Sequence, residues 1–206
     1  MSANLKDIAN RQKIPFFCHF THISNVPSIL KYGLCAVDIL KKNNMQYHGN
    51  DPLRIDGYTQ YNCLSIGFPN DTLFSNFRIR NRSTICDWVI FLIKPSILWQ
   101  LNSRFCITNS AKAYGKYVGF QPYYFEKFFQ DDEFNIPRNC ANLFSYMPTD
   151  VQAEVLAPLI ISPEYFLKCV VADEDVIKCL PPQENFYHCQ PMYFGSREEF
   201  IQFYSI

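Results

Sequence analysis

Phe16-Phe17-Cys18-His19-Phe20-Thr21-His22-Ile23-Ser24-Asn25-Val26-Pro27-Ser28-Ile29-Leu30-Lys31-Tyr32-Gly33-Leu34 sets the architecture of this chain more than any other stretch. Residues 16–21 read as a short apolar strand introduced by Pro15. Alternate strand residues share a face, so His19 and Thr21 project together while His19 and His22 point apart. Ser24 or Asn25 can cap the helix that follows through Leu30 and Lys31, and Pro27 fits its first turn, where a missing N–H costs nothing. Gly33 stops that helix as a left-handed residue would. The stretch is therefore a strand, a turn loaded with side-chain donors, and a helix whose N-terminal N–H groups favour an anion. Taken alone, such a turn serves only the fold in most proteins.

Outward from it the pattern stays mixed. Residues 37–42 predict a further helical turn, and 43–61 is polar, with Gly49, Asp51-Pro52 and Asp56-Gly57 as turn signals. A loop of that length in a compact domain is usually a binding loop. Strands are expected at 62–68, 87–93, 105–108, 153–160 and 169–172. The run Trp88-Val89-Ile90-Phe91-Leu92-Ile93 is apolar throughout and so central in the sheet. Helices are expected at 71–77, 110–117 and 120–129, with helix starts at Ser162-Pro163-Glu164 and Asp173-Glu174. Ser196-Arg197-Glu198-Glu199 has the form of a capping box. No repeat or linker interrupts residues 1–206, which read as one α+β domain.

Composition narrows the classes. The chain has 206 residues, 48% hydrophobic and 18% charged, enough to bury ~70% of the unfolded surface and unlike a disordered chain. Nineteen basic and nineteen acidic residues balance, so any nucleic-acid contact must come from a local patch. The 88–93 run is too short to span a bilayer, and no secretory signal is visible at the start, which predicts a cytoplasmic protein without membrane contact. The nine cysteines are odd in number, lack a C-x-x-C and are spread from Cys18 to Cys189, as expected of reduced thiols in a core. His19 and His22 form H-x-x-H, yet they diverge on a strand and have no further ligand nearby, so no metal is expected.

The common dinucleotide, NTPase, zinc-protease and hydrolase signatures are absent from the sequence. Three features remain: the His19–Asn25 turn, Arg54 in the polar loop, and Gln152-Ala153-Glu154-Val155-Leu156, where a carboxylate enters an apolar strand. Acids are seldom buried without a partner or a task, which singles out Glu154; Gln152 would share its face. Arg78, Arg80 and Arg82, beside Phe74 and Phe77, offer a basic patch. Tyr123, Tyr124, Phe125, Phe128 and Phe129, with Lys127, offer stacking surfaces for single strands, although such clusters are more often core.

The segment from His19 to Leu34 resembles the opening signature of the DarT family, ADP-ribosyltransferases that modify nucleobases using NAD. Gln152–Leu156, followed by Ile161-Ser162-Pro163-Glu164-Tyr165, is similar to that family's catalytic-glutamate segment. The resemblance implies an ADP-ribosyltransferase-like fold, a central, mostly antiparallel split β-sheet flanked by helices. It implies His19, Thr21 and Asn25 as NAD-binding residues and Glu154 and Arg54 as catalytic ones. Gln152 becomes a substrate-recognising residue, and Arg78, Arg80 and Arg82 are taken as contacts to single-stranded nucleic acid. NAD is then a co-substrate, and a toxin–antitoxin or phage-defence role with an antitoxin partner follows. Thymidine-modifying members carry an aromatic-rich strand reading roughly Pro-Phe-Tyr-Phe, where this chain has Cys63-Leu64-Ser65-Ile66-Gly67-Phe68-Pro69-Asn70. That departure leaves the target base, and the choice of DNA or RNA, open. The alternatives to a DNA-modifying enzyme are the same chemistry on RNA and a catalytically silent module binding NAD or nucleic acid.

Overall fold

The structure is a computed structural model and describes residues 4–49, 55–131, 137–138 and 142–205, with residue 113 described in its backbone only. In chain order, α1 (Leu5–Arg11) leads to β1 (Phe17–His22), and a 3-10 turn (Ile23–Asn25) joins this to α2 (Val26–Tyr32). β2 (Leu34–Cys35), α3 (Val37–Lys42), β3 (Tyr61–Ile66), α4 (Asp71–Asn81), β4 (Trp88–Ile93) and α5 (Ile97–Gln100) come next. They are followed by β5 (Arg104–Cys106), β6 (Val118–Gly119), α6 (Pro122–Glu126), β7 (Glu154–Pro158) and β8 (Ile160–Ile161). The chain closes with β9 (Phe166–Val171), α7 (Glu174–Ile177), β10 (Tyr187–Cys189) and α8 (Arg197–Tyr204).

Eight strands form one sheet in the order β10-β9-β4-β1-β3-β7-β5-β6, and β2 pairs with β8 beside it. The pairings are antiparallel except β9 with β10. β4 lies inside the sheet, as its unbroken apolar run requires. Val89, Phe91 and Ile93 enter one core with residues of α1, α2, α5, α6 and α7, while Trp88, Ile90 and Leu92 enter a second with Phe74 and Phe77 of α4 and Phe200 and Ile201 of α8. Both faces of the strand are therefore covered, and strand periodicity of two sorts its side chains between them.

The sheet is split at its middle. β1 pairs with β4 along its whole length but with β3 only at Phe17–Ile66 and Cys18–Ser65. Beyond Cys18 the two strands part, because β3 turns its ladder toward β7 from Tyr61 to Leu64. Gly33 ends α2 with φ +85°, and a Cβ there would meet the Ile161 carbonyl oxygen at 2.6 Å, so the turn into β2 requires glycine. At the C-terminus, Ser196 and Glu199 form the capping box predicted for α8. The Arg197 N–H donates to Asp71 Oδ2 (2.7 Å), and its guanidinium donates to the carbonyls of Pro148 (2.8 Å) and Thr149 (3.2 Å).

Several expectations are revised. The helix expected at 71–77 runs to Asn81 and takes Arg78 and Arg80 into its last turn. The helix expected at 110–117 is only a 3-10 turn over Lys112–Gly115. The aromatic segment 120–129 is core more than surface: Phe125, Phe128 and Phe129 are buried, and of the five aromatics named there only Tyr123 is exposed. α1, whose Asn4 side chain caps Asp7, was not expected from the sequence.

Candidate active site

A cavity of about 800 Å³ opens where β1 and β3 part, roofed by residues of α2, α3 and α4. Its volume is that of a site for a cofactor-sized ligand. Glu154 opens β7 in register with Cys106 of β5; it lines the cavity yet is only 4% exposed. Its Oε2 accepts the Ser110 backbone N–H at 3.2 Å. The Ser110 hydroxyl donates in turn to Oδ2 of Asp56 at 2.9 Å, and Asp56 is itself buried and also accepts the Tyr58 N–H. Two buried carboxylates thus meet on one serine, Glu154 on its N–H and Asp56 on its hydroxyl.

His19 stands at the split itself. Its Nδ1 lies 3.0 Å from the Cys63 carbonyl, standing in for the ladder that β1 and β3 no longer make. A carbonyl only accepts, so Nδ1 carries the hydrogen. Thr21, on the same face, accepts at Oγ1 from the Asn25 amide (2.9 Å). Asn25 does not cap α2: its side chain donates to the His48 carbonyl (3.0 Å) and accepts the His48 N–H (2.8 Å), clamping a second segment onto the cavity. His22 caps the 3-10 turn in its place, accepting the Ser24 N–H. The His22 ring stacks on His48 at 4.1 Å between centroids, with the edge of Trp88 against both. Burial and the neighbouring His48 pull the His22 imidazole below its ordinary range, opposed by Asp87.

His19, Thr21, Asn25, Glu154 and Arg80 therefore line one cavity. Arg78 and Arg82 do not join them. On a helix, residues two apart lie about 200° around the axis, so Arg78 cannot share the face of Arg80. Leu73, Phe77 and Arg80 turn toward the cavity, while the Arg78 guanidinium folds over the Phe74 ring at 4.9 Å. Arg82 is the left-handed C-cap, at φ 52°. Of the three arginines, Arg80 alone lines the cavity. Gln152 lies in the turn before β7, its N–H on Asp150 Oδ1, and is not among the lining residues; the strand begins only at Glu154, so the shared-face argument does not reach it. Arg54 lies outside the described residues.

Asp56, Ser110 and Tyr61 are site residues that the sequence did not single out. Tyr61 lines the cavity and accepts at its hydroxyl from Arg104 Nε at 2.8 Å, which raises the guanidinium pKa. Among the described residues, the buried Nδ2 of Asn70, another lining residue, has no hydrogen-bond partner. The acids occupy the floor, and the exposed cations Lys41 and Arg80 stand on α3 and α4. That distribution suits phosphates beside the cations and, beside the acids, a centre that becomes positive during reaction.

Among family models, that of DarT, described as ssDNA thymidine ADP-ribosyltransferase, matches residues 18–185. No curated protein sequence matches the chain. Among solved structures, Thermus sp. 2.9 DarT in complex with ADP-ribosylated ssDNA is similar at a TM-score of 0.64 and 12% identity, over 89% of this chain and 97% of that one. The same protein in complex with NAD+ gives 0.57 and 11%, over 87% and 96%. Thermosipho africanus DarTG in complex with ADP-ribose gives 0.63 and 16%, over 87% of this chain and 50% of its own, so the present chain spans half the length of that relative. At such identities the structures carry the fold, the split-sheet architecture that the family resemblance implied. The family match covers most of the sequence, and the chain belongs to the DarT family.

Proposed function

We propose that this protein is an NAD-dependent transferase that moves ADP-ribose onto a nucleobase of single-stranded DNA, thymine in keeping with the family's description. The observation that carries the reading is Glu154, a carboxylate buried in the cavity at the sheet's split, with His19 and Thr21 lining the same space. In this reaction the bond between ribose C1′ and the nicotinamide nitrogen breaks, its electron pair leaving with neutral nicotinamide. Positive charge develops on the ribose, and a nucleobase nitrogen bonds to C1′ while its proton passes to a general base, a role we give to Glu154. A fixed carboxylate stabilises that charge most where water is excluded. Glu154 is suited to this, being held by the Ser110 N–H and shielded by the sheet. His19, Thr21 and Asn25 are the NAD-binding set. Arg54 is assigned to the pyrophosphate and reacting centre on the family resemblance, and Gln152 to the acceptor on the same ground.

An acceptor base must be unpaired to reach such a cavity, which requires a single strand. We assign Arg80, which lines the cavity, to its phosphates. Among the described residues no helix is long and apolar enough to cross a membrane. A cytoplasmic toxin paired with an antitoxin, or serving phage defence, is part of the same proposal and rests on the family resemblance.

Intact-mass measurement of short DNA and RNA oligonucleotides after incubation with NAD tests it. DNA gaining one ADP-ribose is the expected result. Modification of RNA alone moves the substrate, and modification of neither, with NAD still bound, makes the chain a binding module. Glu154→Gln keeps an oxygen for the Ser110 N–H but loses the charge, so it should fold, bind NAD and transfer roughly 100-fold more slowly or worse. Near-normal transfer would remove Glu154 from the mechanism.

A further inference from the structure

We infer that Asp56 is a positioning residue for Glu154 and that it acts through Ser110. This deepens the transferase reading and rests on it. The three groups come from separate parts of the chain: Ser110 is 54 residues from Asp56 and 44 from Glu154. Ser110 lies just after β5, in a segment without strand pairing of its own. Its N–H faces Glu154 while that segment is held, and a tether to a distant part of the chain is the hydroxyl bond to Asp56 at 2.9 Å. Asp56 is in turn fixed by burial, at 7% exposure, and by the Tyr58 N–H. The carboxylate that must oppose the developing ribose cation is thus aligned by a backbone donor whose own place depends on a second acid.

The roles separate by substitution. Ser110→Ala keeps the N–H but cuts the tether, and Asp56→Ala cuts it from the other side. Asp56→Asn keeps an oxygen that accepts from the Ser110 hydroxyl, and Ser110→Thr keeps the hydroxyl. Misplacement of a reacting group by about an ångström costs on the order of 100-fold in rate. The two alanine variants should therefore lose roughly 10- to 100-fold in kcat with the KM for NAD little changed. Asp56→Asn and Ser110→Thr should recover most of it, and the double alanine variant should be no worse than either single one. Native-state hydrogen exchange at the Ser110 amide gives a readout independent of activity: protected in wild type and Asp56→Asn, fast in Ser110→Ala and Asp56→Ala.

Unchanged kcat in Ser110→Ala overturns the inference, as does Asp56→Asn falling as far as Asp56→Ala, which would mean that the charge itself is used. A wild-type Ser110 amide that exchanges as freely as an exposed loop also overturns it. If Asp56→Ala does not fold, the comparison of Ser110→Ala with Asp56→Asn decides. Absence of transfer by the wild-type chain refutes the proposed function instead, and amide exchange then still tests the tether.

Discussion

Replacing Asn25 with alanine removes three hydrogen bonds at once: to Thr21 Oγ1 at 2.9 Å, to the His48 carbonyl at 3.0 Å and from the His48 N–H at 2.8 Å. The two bonds to His48 reach across 23 residues and hold Tyr47, His48 and Gly49, which line the cavity. A neutral hydrogen bond contributes about 1 kcal/mol net, so the clamp holds this segment by about 2 kcal/mol. That figure is already net of the water that replaces the lost partners, so global stability should fall by no more than about 3 kcal/mol for the three bonds together. The loss of the two clamp bonds also falls on the ligand, which must reorder the segment as it binds. About 2 kcal/mol corresponds to a Kd for NAD roughly 30-fold higher, at 1.4 kcal/mol per factor of ten. Titration calorimetry with NAD measures this directly. Asn25→Asp sharpens the test: a carboxylate accepts the His48 N–H but repels the His48 carbonyl, so its Kd should rise at least as far. An Asn25→Ala protein that folds and binds NAD within about twofold of wild type would refute the reasoning, because the clamp would then hold nothing the ligand uses.

Two further outcomes follow from the same geometry. Arg80→Ala should make the log–log salt dependence of oligonucleotide binding shallower by about 0.7 for one lost phosphate contact, while Arg78→Ala leaves the slope alone and costs about 0.5–1 kcal/mol of stability through its contact with Phe74; equal slopes for the two variants would count against the division of roles. His22 has a folded pKa below its ordinary 6.5, so the unfolded chain binds this proton more readily and the associated stability, full above about pH 6.5, is lost as pH falls toward the folded value. Thermal melts from about pH 7 to 5 should therefore show a flatter decline for His22→Gln than for wild type, and parallel curves would assign the decline to other groups.

What the sequence disclosed, and what it hid, divides along the range of the interactions. The apolar run at β4, the stop at Gly33 and the capping box at Ser196 are local patterns with local causes, and each took its expected form. Glu154 was conspicuous because a carboxylate in an apolar strand carries its own anomaly. Asp56 read as half of a turn and Ser110 as a helix start, because nothing near either residue announces a partner 54 residues away. Asn25 shows the same limit in reverse: a residue with the chemistry of a cap was claimed by the backbone of His48, so α2 starts without a side-chain cap and His22 caps only the 3-10 turn before it. The arginines divide for another reason. Once α4 extends through residue 81, helical periodicity alone separates Arg80 from Arg78.

The C-terminal helix separates kinship from cooperativity. The family match ends at residue 185, yet Phe194, Phe200 and Ile201 lie beyond it and complete the core that covers Phe74 and Trp88. Burial of such side chains contributes about 1.5–3 kcal/mol each, a sum comparable to the whole net stability of a typical domain. Arg197 then ties the start of α4 to residues 148 and 149. The stretch the family model matches is therefore smaller than the core it shares in, and α4, which presents Arg80 to the cavity, is braced by residues beyond that stretch.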